Sequence, residues 1–143
     1  MHFEIDSVWT AVGSPVLIDD HDVVFPPLPR TAGVYQILSA THFYVGEADH
    51  LHRRFGGYRR PGGSADTKFP RTNRRVKRWI VGELEASGPS GVLIELCSTA
   101  KIRFGNGDVS QLDLGMKHSR LAIESLVIEQ NIRAGRTPVN LLK

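Results

Sequence analysis

Two short apolar and aromatic runs, Gln36-Ile37-Leu38 and Phe43-Tyr44-Val45, flank the polar stretch Ser39-Ala40-Thr41-His42 and predict a pair of strands joined by a turn. Side chains alternate faces along a strand, so Tyr35 shares a face with Ile37, and Tyr44 with Gly46. The spacing then changes. Leu51, Arg54, Phe55 and Tyr58 fall at i, i+3, i+4 and i+7, which predicts a helix from His50 with Asp49 as its N-cap. Arg54 and Tyr58 lie one turn apart on the sheet-facing stripe of that helix, an unusual place for a cation and a phenol.

Elsewhere the pattern is simpler. Phe3-Glu4-Ile5-Asp6 alternates and predicts an edge strand, and Val16-Leu17-Ile18 and Val23-Val24-Phe25 are short apolar runs around Asp19-Asp20-His21-Asp22. That acidic cluster reads as a polar loop in preference to a metal site. Pro26-Pro27-Leu28-Pro29 is an extended stop before the first motif strand. After Tyr58, Arg59 to Asp66 has the composition of a loop. Thr72 or Asn73 can cap a second helix, whose stripe is Val76, Ile80 and Leu84 with Trp79 beside it. Residues 92–98 read as a buried strand, and Ile102-Arg103-Phe104 with Val109 to Leu114 as a hairpin whose Asn106-Gly107 supports a type I′ turn. The final helix is predicted over 119–134. Glu124 falls among Leu121, Val127 and Ile128, so its carboxylate is directed inward, where it requires a cation, hydrogen bonds or a proton. Glu129 neighbours Ser125 and Arg133 on a more solvent-like face.

Composition narrows the class. With 143 residues, 41% of them apolar, the chain suits one domain with one real core. No run approaches the ~20 apolar residues that cross a bilayer, and the N-terminus lacks a basic leader and an apolar signal core. The expectation is a cytoplasmic protein with no membrane partner. The single Cys97 reads as a small buried thiol. There is no Cys/His zinc spacing, phosphate-binding glycine loop or nucleotide fingerprint. The net charge of +3 conceals a steep asymmetry. Between His50 and Arg78 stand ten Lys/Arg against one acid, Asp66, which leaves an excess of acids elsewhere. A solvated face is the plain reading of such a run. The preponderance of Arg favours a phosphate-binding surface instead, with Arg53, Arg59, Arg60, Lys68, Arg71, Arg74, Arg75 and Arg78 as its contacts.

The segments Gly33-Val34-Tyr35 and Tyr44-Val45-Gly46, with Arg54 and Tyr58 following, resemble the motif of the GIY-YIG nuclease family. The run YVGEADHLHRRFGGY is similar to the nuclease module of bacterial excision-repair endonucleases, and all three tyrosines of the chain fall on motif positions. The resemblance covers about 31–60 closely and 119–140 loosely. It implies an α/β (α+β) domain, a small central and mainly antiparallel sheet flanked by helices. Residues 1–143 would form that one domain, with 1–30 as an N-terminal edge segment and 31–143 as the motif-bearing core.

The implied activity is that of a hydrolase, an endonuclease cleaving DNA phosphodiester bonds with Mg2+ (or Mn2+). A chain of this length has little room for a separate reading domain, so sequence specificity is expected to be weak. The resemblance assigns Arg54 to stabilising phosphate charge, Tyr35 to orienting and deprotonating water, Tyr44 to lining the site and Tyr58 to assisting. It gives the metal to one glutamate of the last helix, here Glu124, with Asn140 positioning phosphate or water. Glu129 is the alternative ligand, because Ile128-Glu129-Gln130-Asn131-Ile132 is also similar to the family's glutamate segment. His50 and His52 read as surface residues, since Tyr58 occupies the position at which some relatives carry a histidine. Glu47 stands where excision-repair relatives carry a basic residue. An acid there would repel phosphate, recruit metal or take a proton, and it motivates the alternative of a nucleic-acid-binding module that keeps the fold without turnover.

Overall fold

The strand pair around the turn at 39–42 forms, and the rest of the sheet is built outward from it. The computed structural model describes residues 2–19, 21–62 and 70–139. In chain order these give β1 (Phe3–Gly13), β2 (Val16–Leu17), β3 (Val23–Val24), β4 (Gly33–Leu38), β5 (His42–Ala48), α1 (Leu51–Arg59), α2 (Pro70–Ser87), β6 (Leu93–Phe104), β7 (Val109–Gln111), α3 (Lys117–Arg133) and β8 (Thr137–Pro138). The main sheet runs β1-β6-β4-β5-β8, with β7 added to β6; all its pairings are antiparallel except that of β5 with β8. The fold is therefore α+β with a mainly antiparallel sheet.

Strand lengths depart from the expectation. β1 extends over eleven residues and not just 3–6, because it pairs with β6 along almost its whole length. The predicted strand at 92–98 and the first arm of the predicted hairpin are one strand, β6. It carries β1 on one edge, and β4 followed by β7 on the other. The turn after it is not type I′, which needs positive φ at both central residues. Only Gly107 is left-handed there, with φ 93°, and no non-glycine residue among those described has positive φ. Val16-Leu17 and Val23-Val24 pair as a separate two-stranded hairpin. Within the loop it encloses, Asp19 accepts the His21 N–H and Asp22 turns to Arg59 and Lys77.

The two faces of the main sheet are covered by different helices. Tyr35, Ile37 and Ile94 pack with Leu51, Phe55 and Tyr58 of α1 and with Val76, Trp79, Ile80 and Leu84 of α2. Val34, Phe43, Val45 and Cys97 pack with Ile123 and Val127 of α3. Each fully buried large apolar side chain contributes about 1.5–3 kcal/mol, so these stripes fix which way each helix turns.

Helix α1 is held at its start by the chain preceding β4. The Leu51 N–H donates to the Thr31 carbonyl at 2.9 Å and the His52 N–H to that of Pro29 at 3.0 Å. Its N-cap is His50, with φ −150° and ψ 98°, whose Nδ1 accepts the Arg53 N–H at 3.0 Å. Asp49 lies one residue too early, in the bend that ends β5. Helix α2 already includes Pro70, so Thr72 and Asn73 are helical residues and not caps. Helix α3 starts at Lys117, two residues before the predicted start.

Candidate active site

Strand β5 is where the two halves of the site meet. β8 pairs only with His42 and Phe43, so among the described residues the outer edge of β5 beyond Phe43 has no strand neighbour. A cleft of about 270 Å³ opens there. One wall comes from the α1/α2 face of the sheet, with Tyr35, Tyr44, Arg54 and Thr72; the other carries Glu47 and Glu124 from the α3 face.

The phenolic wall is tightly constructed. Tyr35 and Tyr58 are fully buried, and their hydroxyls hydrogen-bond at 2.5 Å. The Arg54 guanidinium lies 4.3 Å from the centroid of the Tyr58 ring, and its Nη1 donates to Asn73 Oδ1 at 2.6 Å. Half-buried Tyr44 completes the cluster, its ring 6.5 Å from that of Tyr35 and 6.1 Å from that of Tyr58. Gly46 faces Tyr35 across the β4–β5 register. A Cβ there would run into the Tyr35 hydroxyl, so glycine is what lets that phenol reach the cleft.

On the acidic wall, parity places Glu47 with Phe43 and Val45 on the α3 side of β5. Both of its oxygens are engaged. Arg120 Nε donates to Oε2 at 2.8 Å, and Lys117 Nζ stands 3.3 Å from Oε1. Arg120 is 4% exposed and also donates through Nη1 to the carbonyls of Leu114 and Gly115. Glu47 is thus tied to cations of its own fold. Glu124 is half-buried beside Ile123 and Val127. Leu121, which the helical spacing had placed next to it on the inward stripe, is exposed.

Burial dominates the electrostatics. It pushes the Tyr35 and Tyr58 phenols above their ordinary range, the neighbouring phenols add to the rise, and Arg54 partly opposes it. For Tyr35 the bond to Tyr58 also opposes the rise. Both are neutral phenols at neutral pH, and only Arg54 among the groups around them favours a phenolate on each by its charge. Burial acts to lower Arg54, but the three tyrosines outweigh it and the guanidinium is held firmly protonated. Glu124 is raised, first by burial and then by Glu47, with Lys117 opposing.

That donor set fits a hard divalent cation with few protein ligands. A half-buried carboxylate pushed toward protonation is relieved by a cation, and Mg2+ is commonly held by one or two carboxylates plus water. No cluster of three or more His, Cys, Asp or Glu converges among the described residues, so a cage made of such ligands is not formed by them.

Of the predicted residues, Tyr35, Tyr44, Arg54 and Glu124 come together at the cleft, while Tyr58 lies beneath Tyr35 and Arg54. Glu129 does not join them. It is exposed and paired with Arg133 at 3.1 Å. Asn140 and Lys68 lie outside the described residues. Arg53, Arg60, Arg71, Arg74, Arg75 and Arg78 are exposed on or beside the helices that supply Arg54 and Thr72. Arg59 is diverted to Asp22 at 3.8 Å, as is Lys77 at 3.5 Å. His50 caps α1 and His52 is exposed.

Thr72 on the cleft wall escaped the sequence reading as a site residue, and so did two buried residues behind the cleft, Asn73 and Arg120. Each of these two extends a buried stripe by one helical step: Asn73 precedes Val76 and Ile80, and Arg120 precedes Ile123 and Val127. The spacing was visible, but a polar residue at the end of an apolar stripe reads as the place where the stripe stops. Comparison with protein-family models, with curated proteins and with solved structures gave no match.

Proposed function

We propose that this chain is a divalent-metal-dependent endonuclease that hydrolyses DNA phosphodiester bonds with weak dependence on base sequence. One observation carries the reading. An arginine stacked on a phenol and an inward carboxylate, supplied from opposite faces of the sheet, line the same open cleft.

The chemistry requires charge on the pentacoordinate phosphate to be stabilised, a water to be oriented and deprotonated, and the leaving 3′ oxygen to be neutralised. Arg54 meets the first need with planar, permanently charged donors. Tyr35 orients the water through its hydroxyl. It can take the proton only after losing its own, which burial opposes and Arg54 favours, so its use as a base depends on Arg54. Tyr58 holds both partners, through the phenol hydrogen bond and its ring face. Tyr44 closes the apolar side of the cleft. Glu124 would hold Mg2+ or Mn2+, which supplies Lewis-acid stabilisation of phosphate and leaving-group charge. The exposed arginines of α1, α2 and the start of the loop between them would bear on the DNA backbone.

The test is incubation of the pure protein with supercoiled plasmid, with Mg2+, with Mn2+ and with chelator. Nicked and linear products are expected only with metal. Salt-sensitive DNA binding without cleavage would instead favour the binding module, and neither binding nor cleavage would overturn both.

A further inference from the structure

Asn73 begins the buried stripe of α2 that continues through Val76, Ile80 and Leu84, and it is 1% exposed. Asparagine is a poor residue for a helix interior, and its amide is costly to bury unless bonded. Its Oδ1 accepts from Arg54 Nη1 at 2.6 Å, within reach of the short bonds typical of a charged donor. The same guanidinium stacks over Tyr58 at 4.3 Å and lines the cleft. Stacking fixes the plane of the guanidinium, and the bond from α2, together with its interaction with the Tyr35 hydroxyl, fixes its rotation within that plane. An aspartate could supply the same bond but would neutralise the cation. The amide orients it without adding a counter-charge.

We infer that Asn73 is a positioning residue that aims the Arg54 guanidinium at an anionic substrate. This deepens the nuclease reading and rests on it only for the identity of that substrate. Misplacing a reacting or stabilising group by about 1 Å can cost on the order of a hundredfold in rate.

The test compares wild type, Asn73→Ala and Asn73→Asp by plasmid-cleavage kinetics and by 15N NMR of the Arg54 side chain. The Arg54 signals are identified as those missing in Arg54→Lys. Asn73→Ala should lower kcat by about tenfold or more with a smaller change in KM, and should shift the Arg54 Nη signals toward the averaged form of a freely rotating guanidinium. Asn73→Asp should keep those signals separate and still lower kcat, a split that a purely structural role does not produce. If Asn73→Ala fails to fold, Asn73→Asp alone decides, and wild-type kcat in it would overturn the inference. Unchanged Arg54 signals in folded Asn73→Ala would overturn it as well. A wild-type protein that cleaves nothing would refute the nuclease reading, and the NMR comparison would still decide whether Asn73 holds Arg54.

Discussion

Glu124 and Glu129 sit five positions apart on one helix, and the environment of each gives it a different task. Glu124 lines the cleft with its carboxyl raised by burial and by Glu47, whereas Glu129 makes an exposed i,i+4 pair with Arg133. Such exposed pairs are worth only about 0.3–0.5 kcal/mol. Glu124→Gln keeps the shape and removes the charge, so it should abolish metal-dependent cleavage while DNA binding persists or tightens. Glu129→Gln should leave cleavage within a fewfold. Calorimetric titration with Mg2+ would separate them, and loss of metal binding in Glu129→Gln alone would reverse the assignment. At this scale the sequence was legible where a side chain broke an apolar pattern in mid-stripe, as Arg54 and Tyr58 do. It was not legible at Glu47, whose Arg120 partner lies 73 positions away on a different element.

At the level of elements, the basic segment divides into structural and open parts. Asp22 on the β2–β3 loop draws in Arg59 and Lys77, and Lys77 Nζ also donates to the Arg59 carbonyl at 2.7 Å. Arg60, Arg71 and Arg74 are exposed. Replacing these three together by Ser should weaken DNA binding and flatten its salt dependence by about one unit of log–log slope per lost phosphate contact. A fluorescence titration at several salt concentrations measures this, and an unchanged slope would return the run to a solvated face. The helices themselves could be read closely from spacing, because Val76, Ile80 and Leu84 mark a buried stripe by residue type alone. The strands could not. Ser98 to Lys101 looks like an interruption between two short strands, yet β1 pairs through it and makes β6 continuous. Pairing between segments some 90 residues apart leaves no local mark.

For the whole molecule, the tyrosine cluster makes alkali a selective stress. Tyr35 and Tyr58 have raised pKa values in the folded chain. Below about pH 10, the ordinary phenol value, folded and unfolded chains both keep these protons and stability does not respond to them. Above it the unfolded chain ionises first, so stability falls as pH rises, by up to about 1.4 kcal/mol per pH unit for each group. Cys97, pushed up to about 11 by burial, acts in the same sense. Urea unfolding at pH 8, 10 and 11 should show the loss, with a shallower decline in Tyr35→Phe. Equal declines in the two proteins would mean that Tyr35 titrates normally.

Strand β5 also limits how the length of this chain can vary. Tyr44 and Gly46 serve the phenolic wall while Glu47 serves the acidic one, so the strand hands alternate residues to opposite sides of the sheet. A one-residue slip of the β4–β5 register would move Glu47 beneath the phenols and turn Tyr44 toward α3. A slip of two would restore the alternation. The loop after β6 carries no such parity, because no residue of β7 lines the cleft. A change of length at 39–41 is therefore harmless only where the turn absorbs it and leaves the β4–β5 register in place, whereas a change in the loop after β6 puts no cleft residue at risk.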